Sequence, residues 1–144
     1  HLLNTTIIIG DPSGTTLGII GKIATGWPYT PSIPAANFIP RPNSGRKPVQ
    51  KNVDAKLEKR IKIGNYRVAL FARVYNLFDT RNERYVFDDT GSAKYTYEYR
   101  SNQETEQLIA NYDKPGIHTW EDYTTRPHYY SAPRSFKIGL SLDL

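Results

Sequence analysis

Apolar and polar residues alternate without a break at the end of the chain. Phe136, Ile138, Leu140, Leu142 and Leu144 fall on one face, with Ser135, Lys137, Gly139, Ser141 and Asp143 on the other. A helix would scatter these apolar residues around its circumference, so period two predicts a strand. A second alternating segment runs from about Lys51 to Ile63. There Val53, Ala55, Leu57, Ile61 and Ile63 share a face interrupted only by Lys59. Gly64-Asn65 follows, suited to a two-residue type II′ turn because Gly accepts positive φ at the first position. Strand signal resumes at Arg67 and continues to about Phe78, with Val68, Leu70, Ala72 and Val74 opposite Ala69, Phe71, Arg73 and Tyr75. Leu2 to Gly10 and Leu17 to Trp27 are further strands. The Asp11-Pro12-Ser13-Gly14 turn lies between them, where Pro fixes φ and Gly admits left-handed geometry.

The expected fold is therefore all-β, an antiparallel up-and-down meander of about five strands. Its connections read short, long, short, very long. The long ones cover roughly Pro28–Pro48 and Asp79–Ala132. Loops of that length count against a compact soluble domain. They suit an outer-membrane barrel, where turns are short on the periplasmic side and long outside. Strand direction places both long loops on the same side. Within the longer one, Tyr85-Val86-Phe87 and Tyr95 to Tyr99 flank Asp89-Thr90-Gly91 and predict a hairpin. Ser101 with Glu104 fits a capping box before a helix of about two turns at Glu106 to Ala110.

Composition agrees with this pattern once a barrel is considered. Hydrophobic content is 38% and Tyr numbers 11 in 144 residues. No apolar run approaches the roughly 18 residues of a membrane-spanning helix, but barrel strands need only about 9–11, half of them facing water. Cys is absent, which removes disulfide frameworks and thiolate metal sites. The chain itself carries no signal peptide, so an export signal is expected upstream. Five strands leave two open edges, and lipid tolerates only closed barrels, known from about eight strands upward. Residues 1–144 are accordingly expected to be the C-terminal portion of a transmembrane β-barrel domain, with the remaining strands upstream.

Several segments resemble one family. Val74-Tyr75-Asn76-Leu77-Phe78-Asp79 resembles the VxNLFD motif near the end of TonB-dependent outer-membrane receptors. Thr25-Gly26-Trp27-Pro28-Tyr29-Thr30-Pro31, Asn43-Ser44-Gly45-Arg46-Lys47-Pro48, Asp89-Thr90-Gly91 and Ser131-Ala132-Pro133-Arg134 follow in the order of a bacterial branch of these receptors. The last residues resemble the family's barrel-assembly signal, with Leu144 where the usual aromatic stands. The resemblance spans essentially the whole chain. It implies a receptor in the bacterial outer membrane that imports a scarce ligand with energy relayed by TonB. TonB would act only through an upstream plug domain. Implied partners are outer-membrane lipid, lipopolysaccharide and the barrel-assembly machinery, the last through the C-terminal strand. Siderophore, cobalamin, saccharide and peptide all remain open as ligands.

Candidate chemistry is sparse. The net charge of +5 gathers between Arg41 and Lys62, where Asp54 and Glu58 interleave with the cations. A wet lumen wall with compensating pairs explains that better than nucleic-acid binding, for which no recognition fold or continuous basic face is visible. Trp27, Tyr29, Tyr66, Tyr129 and Tyr130 lie near strand ends, as an interfacial aromatic girdle would. Phe87, Tyr95, Tyr97, Tyr99, Trp120 and Tyr123 are the better ligand-binding candidates, since loops on a rigid scaffold carry function. Packing between loops is the plainer reading of the same rings. Phe136, Ile138, Leu140, Leu142 and Leu144 are the expected lipid-facing stripe. His1, His118 and His128 lack metal-ligand spacing, and Asp88-Asp89 lacks the EF-hand pattern. No nucleophile motif or phosphate-binding loop occurs, so neither enzyme nor cofactor is expected. A porin or adhesion barrel remains the nearest alternative, and a secreted carbohydrate-binding β-sandwich a more distant one.

Overall fold

A computed structural model of the chain describes residues 1–32, 41–98, 102–112 and 119–143. The chain divides into two compact units: a sheet unit of His1–Thr25, Val49–Asn82 and Ala132–Leu144, and a loop unit of Gly26–Pro48 and Glu83–Ser131.

The sheet unit is a five-stranded antiparallel meander. Strands β1 (Leu2–Gly10) and β2 (Thr15–Ala24) pair first, then β5 (Gln50–Ile63), β6 (Tyr66–Tyr75) and β7 (Ser135–Asp143), in the order β1-β2-β5-β6-β7. The short strands β3 (Pro28–Tyr29) and β4 (Gly45–Arg46) form a separate ladder in the loop unit. Short turns join β1 to β2 and β5 to β6, and the long connections leave from the opposite end, beside the pairs Ala24↔Gln50 and Tyr75↔Ser135.

Local chemistry explains both short turns. Gly64 has φ 62°, and Asn65 is not among the positive-φ residues, so the link from Ile63 to Tyr66 has the φ signature of type II′ rather than I′. At the other turn Gly10 takes φ 122°, a left-handed position where a Cβ would collide with the Thr15 carbonyl. The Asp11 carboxylate accepts from both the Ser13 amide (2.8 Å) and the Ser13 hydroxyl (2.7 Å), closing an Asx turn.

Register places the predicted faces side by side. Ile7 opposes Ile19, which opposes Ala55; Ala55 opposes Val74, and Val74 opposes Phe136. One side of the sheet therefore carries Leu3, Ile7 and Ile9 of β1, Ile23 of β2, Leu57, Ile61 and Ile63 of β5, Leu70 of β6, and Phe136, Ile138, Leu140 and Leu142 of β7. All are exposed, Ile138 by 87%. The other side carries the β5 charges Asp54, Lys56, Glu58, Arg60 and Lys62, with Arg67, Arg73 and Lys137. Among the described residues the only buried apolar side chains are Val86 and Ala93, both in the loop unit. The sheet has no core of its own there.

Several boundaries differ from expectation. Strand β2 ends at Ala24, not Trp27: the Thr25 amide makes one more bond to β1, at the His1 carbonyl, and from Gly26 onward the chain belongs to the loop unit. Strand β6 ends at Tyr75, not Phe78, because Asn76 adopts φ 54°. The helix α1 spans Asn102–Tyr112, longer than two turns; Ser101, its expected cap, lies outside the described residues. A second helix, α2 (Trp120–Thr124), has a capping box made by Thr119 and Asp122.

Candidate functional site

The motif from Val74 to Asp79 closes the end of β6. Buried Asn76 has left-handed φ, which Asn tolerates better than other non-Gly residues. Its side-chain amide donates to the carbonyls of Thr80 and Ala132 (both 3.1 Å), and its oxygen accepts from the Thr80 amide (2.8 Å). Asp79, at φ 51°, accepts from the Arg134 amide at 2.8 Å. The Asp54 carboxylate accepts from the Asn76 backbone at 2.9 Å. Two resembling motifs, 74–79 and 131–134, thus meet where the chain leaves β6 and enters β7. Their contacts here fix backbone, with no reacting group among them.

In the loop unit the other motif segments pack on one another. Tyr29 lies against Gly45 and Gly91, whose missing Cβ atoms make room for its ring. Lys47 donates to the Arg84 carbonyl at 2.9 Å and sits over the Tyr85 ring at 5.4 Å. Buried Glu83 accepts from the Ala93 amide (2.6 Å) and the Ser92 hydroxyl (3.3 Å). Residues Tyr85 to Tyr97 turn as expected, with the Gly91 amide bonded to the Phe87 carbonyl at 2.8 Å. The predicted hairpin ladder is absent among the described residues. The Asp89 carboxylate takes the Tyr97 amide and the Thr96 hydroxyl, and the Thr90 hydroxyl takes the Tyr95 carbonyl, so side chains occupy groups a ladder would have used.

The six candidate ligand residues do not form one cluster among the described residues. Phe87 is half-buried against Tyr129, ring centroids 5.3 Å apart, and Tyr85 meets the same ring at 5.9 Å. Phe87 thus has a packing partner inside the unit. Tyr95 and Tyr97 pair edge-on at 5.6 Å and are both exposed. The Tyr95 hydroxyl is held above the ordinary tyrosine range, first by its hydrogen bond with Tyr97, then by charge on Tyr97, burial and Asp89. Tyr99 lies outside the described residues, as do the side chains of Trp120 and Tyr123, although both belong to α2. Of the expected girdle, Tyr29 and Tyr129 are engaged in loop packing, Trp27 belongs to the loop unit, and exposed Tyr66 opens β6. The apolar stripe expected to face lipid, Phe136, Ile138, Leu140 and Leu142, is exposed as a row; Leu144 lies outside the described residues.

The charged side of the sheet is ordered as well. Glu58 pairs with Lys56 and with Arg60, the latter at 2.8 Å. Arg73 donates to the Tyr75 hydroxyl at 2.9 Å, and Arg73 and Lys137 stand 5.7 and 5.5 Å from the Tyr75 ring. Sequence reading assigned Lys56, Glu58 and Arg60 to a wet wall and gave Arg73, Tyr75 and Lys137 no role beyond their strand faces. Their convergence depends on strand register, which alternation alone does not supply.

Among the described residues no group of three or more His, Cys, Asp or Glu side chains is placed to hold a metal. No described helix is long and apolar enough to cross a membrane, which says nothing about strands. No family model, curated protein or solved structure matches this chain.

Proposed function

We propose that this chain is the C-terminal part of the barrel of a TonB-dependent outer-membrane receptor, whose strands separate lipid from a wet interior. The observation that carries the reading is the apolar side of the sheet, exposed across all its strands, set against an opposite side that carries the charges of β5, β6 and β7. Burying a large aliphatic or aromatic side chain contributes about 1.5–3 kcal/mol. About a dozen such side chains left in water would forgo more than the 5–15 kcal/mol that typically holds a domain together. Hydrocarbon is a solvent that suits them.

Further support comes from length and topology. Strands of 9 and 10 residues match the roughly 9–11 needed to cross a bilayer at a tilt. Long connections leave one end of the sheet and short turns the other, the asymmetry of outer-membrane barrels. The outer strands β1 and β7 each keep an open edge, which closure with further strands would satisfy. The resemblance of the motif set supplies the transport part. It predicts a plug of about 100–150 residues, one domain-sized unit, elsewhere in the same protein.

The test places environment-sensitive labels in the intact parent in outer membranes. Labels at Ile138 and Leu142 should be quenched by a lipid-soluble reagent, and one at Ser141 by a water-soluble reagent. The reverse pattern removes the barrel. A parent with no plug, or uptake unchanged in a cell without TonB, leaves a passive barrel and removes the transport assignment.

A further inference from the structure

On the charged side of the sheet, Lys56 of β5, Arg73 of β6 and Lys137 of β7 stand in one cross-strand row, Arg73 directly opposite both lysines. Like charges in directly opposed positions destabilise a sheet. Glu58 answers Lys56, but neither Arg73 nor Lys137 is in an ion pair among the described residues. Asp54 is nearby on the same face, with its Oδ1 taken by the Asn52 side-chain amide (2.8 Å) and the Asn76 backbone (2.9 Å). Tyr75 gathers the two remaining cations. It accepts from Arg73 at 2.9 Å, which leaves its own hydroxyl hydrogen free to donate.

The same row continues through Gly18 on β2 to Ile8 on β1. With no side chain at Gly18, the surface falls into a depression of about 320 Å³ lined on its cationic side by Lys56, Arg73, Tyr75 and Asp54, whose Oδ1 is already engaged, and on the other by Ile8 and Ile20. That volume is at the lower end for small-molecule pockets, roughly 300–1,000 Å³. Its floor is aliphatic on the β1–β2 side, and on the β5–β6 side two cations, Lys56 and Arg73, outnumber the one carboxylate, Asp54.

We infer that Arg73, with Tyr75 and Lys56 and with Lys137 as the next cation of the row, forms a binding site for the carboxylate or phosphate of a small solute whose apolar body rests on Ile8, Gly18 and Ile20. Arg supplies a planar fork matched to an oxyanion, and Lys a point charge beside it. The anion offsets the opposed cations, and the aliphatic floor selects solutes with a hydrophobic part over inorganic anions. The site depends only on the charged side of the sheet, so it stands or falls separately from the lipid assignment of the other side.

The test uses the full chain dispersed in non-ionic detergent, with protein-free micelles as the blank, and 4-fluorobenzoate, followed by broadening of its fluorine resonance, with 4-fluorobenzamide as the uncharged counterpart and inorganic phosphate as a competitor. The benzoate should bind and the benzamide should not. Arg73→Gln and Lys137→Gln should each weaken binding about tenfold or more, the scale of one charge-assisted hydrogen bond. Lys62→Gln, outside the row, should leave it unchanged. Gly18→Val fills the depression without altering charge. A Cβ there meets only the Lys56 carbonyl oxygen, at 3.9 Å, so the strand accommodates it, and binding should be lost while the β-sheet circular dichroism signal persists. Absence of benzoate binding, equal binding of the benzamide, or equal loss in Lys62→Gln would each overturn the site. So would binding that survives Gly18→Val.

Discussion

Asn76 combines a left-handed backbone, a buried amide and three side-chain hydrogen bonds that reach both ends of the 80–132 excursion. Asn76→Ala should lower the stability of the chain by about 2–3 kcal/mol, from lost buried hydrogen bonds plus the αL penalty of a Cβ residue. Asn76→Gly relieves the backbone part alone, so its urea midpoint should lie above that of Ala. Equal midpoints for Asn76→Ala and the wild-type chain would mean that the amide contacts do not hold the β6–β7 passage. Asp11 gives a pH signature of the opposite turn. The Ser13 hydroxyl, and then the Ser13 amide, hold its carboxyl below the ordinary aspartate range. Since the folded value is the lower one, its contribution is complete above the unfolded-state pKa and fades as pH falls through the folded pKa. Asp11→Asn should therefore lower stability slightly at neutral pH and converge with the wild-type chain at low pH, which flattens the acid limb, an effect kept small by full exposure. An acid limb identical in the two proteins would show that Asp11 contributes nothing.

At the scale of the element, the strands were legible wherever polar and apolar residues alternate. Register then set the stripes of β1, β2, β5, β6 and β7 on one side of the sheet. Alternation reports side-chain direction, so it fails where backbone φ changes sign, as at Asn76 after β6. It fails also where the contacts are distant in sequence. Nothing near Tyr97 announces that Asp89 will take its amide, and nothing near Tyr29 announces Gly91 beneath its ring. The capping box at Thr119 and Asp122 has the form T-x-x-D, but no apolar period follows it to mark a helix in the sequence. The pair Leu140 and Lys137 tests the face assignment of β7. Leu140→Arg should cost about 2–4 kcal/mol if that residue lies near the bilayer midplane, whereas Lys137→Ser should barely change stability. Refolding into lipid vesicles monitored by denaturant titration separates the two, and equal tolerance would contradict a lipid-facing Leu140.

For the whole molecule the deciding quantity is what covers the apolar side of the sheet. A secreted sandwich would bring a second sheet against it, about 10 Å away, and bury the row from Phe136 to Leu142. Among the described residues no such layer is present, and that row is exposed. The chain by itself also keeps two strand edges with unpaired backbone, an open invitation to pairing with other copies. In water both features drive association. The isolated chain should therefore self-associate in detergent-free buffer and disperse once detergent micelles can coat the apolar side. Light scattering during size-exclusion chromatography, run with and without detergent, reads this directly. A monodisperse monomer in plain buffer would require a cover for the sheet from within the chain, and the lipid assignment would then give way to the sandwich. Micelle-dependent dispersal argues the other way, because detergent satisfies side chains but cannot complete a β-ladder. The dispersed protein should accordingly retain exchangeable amides along the outer edges of β1 and β7, and fast hydrogen exchange confined to those strands would locate the places where further strands dock.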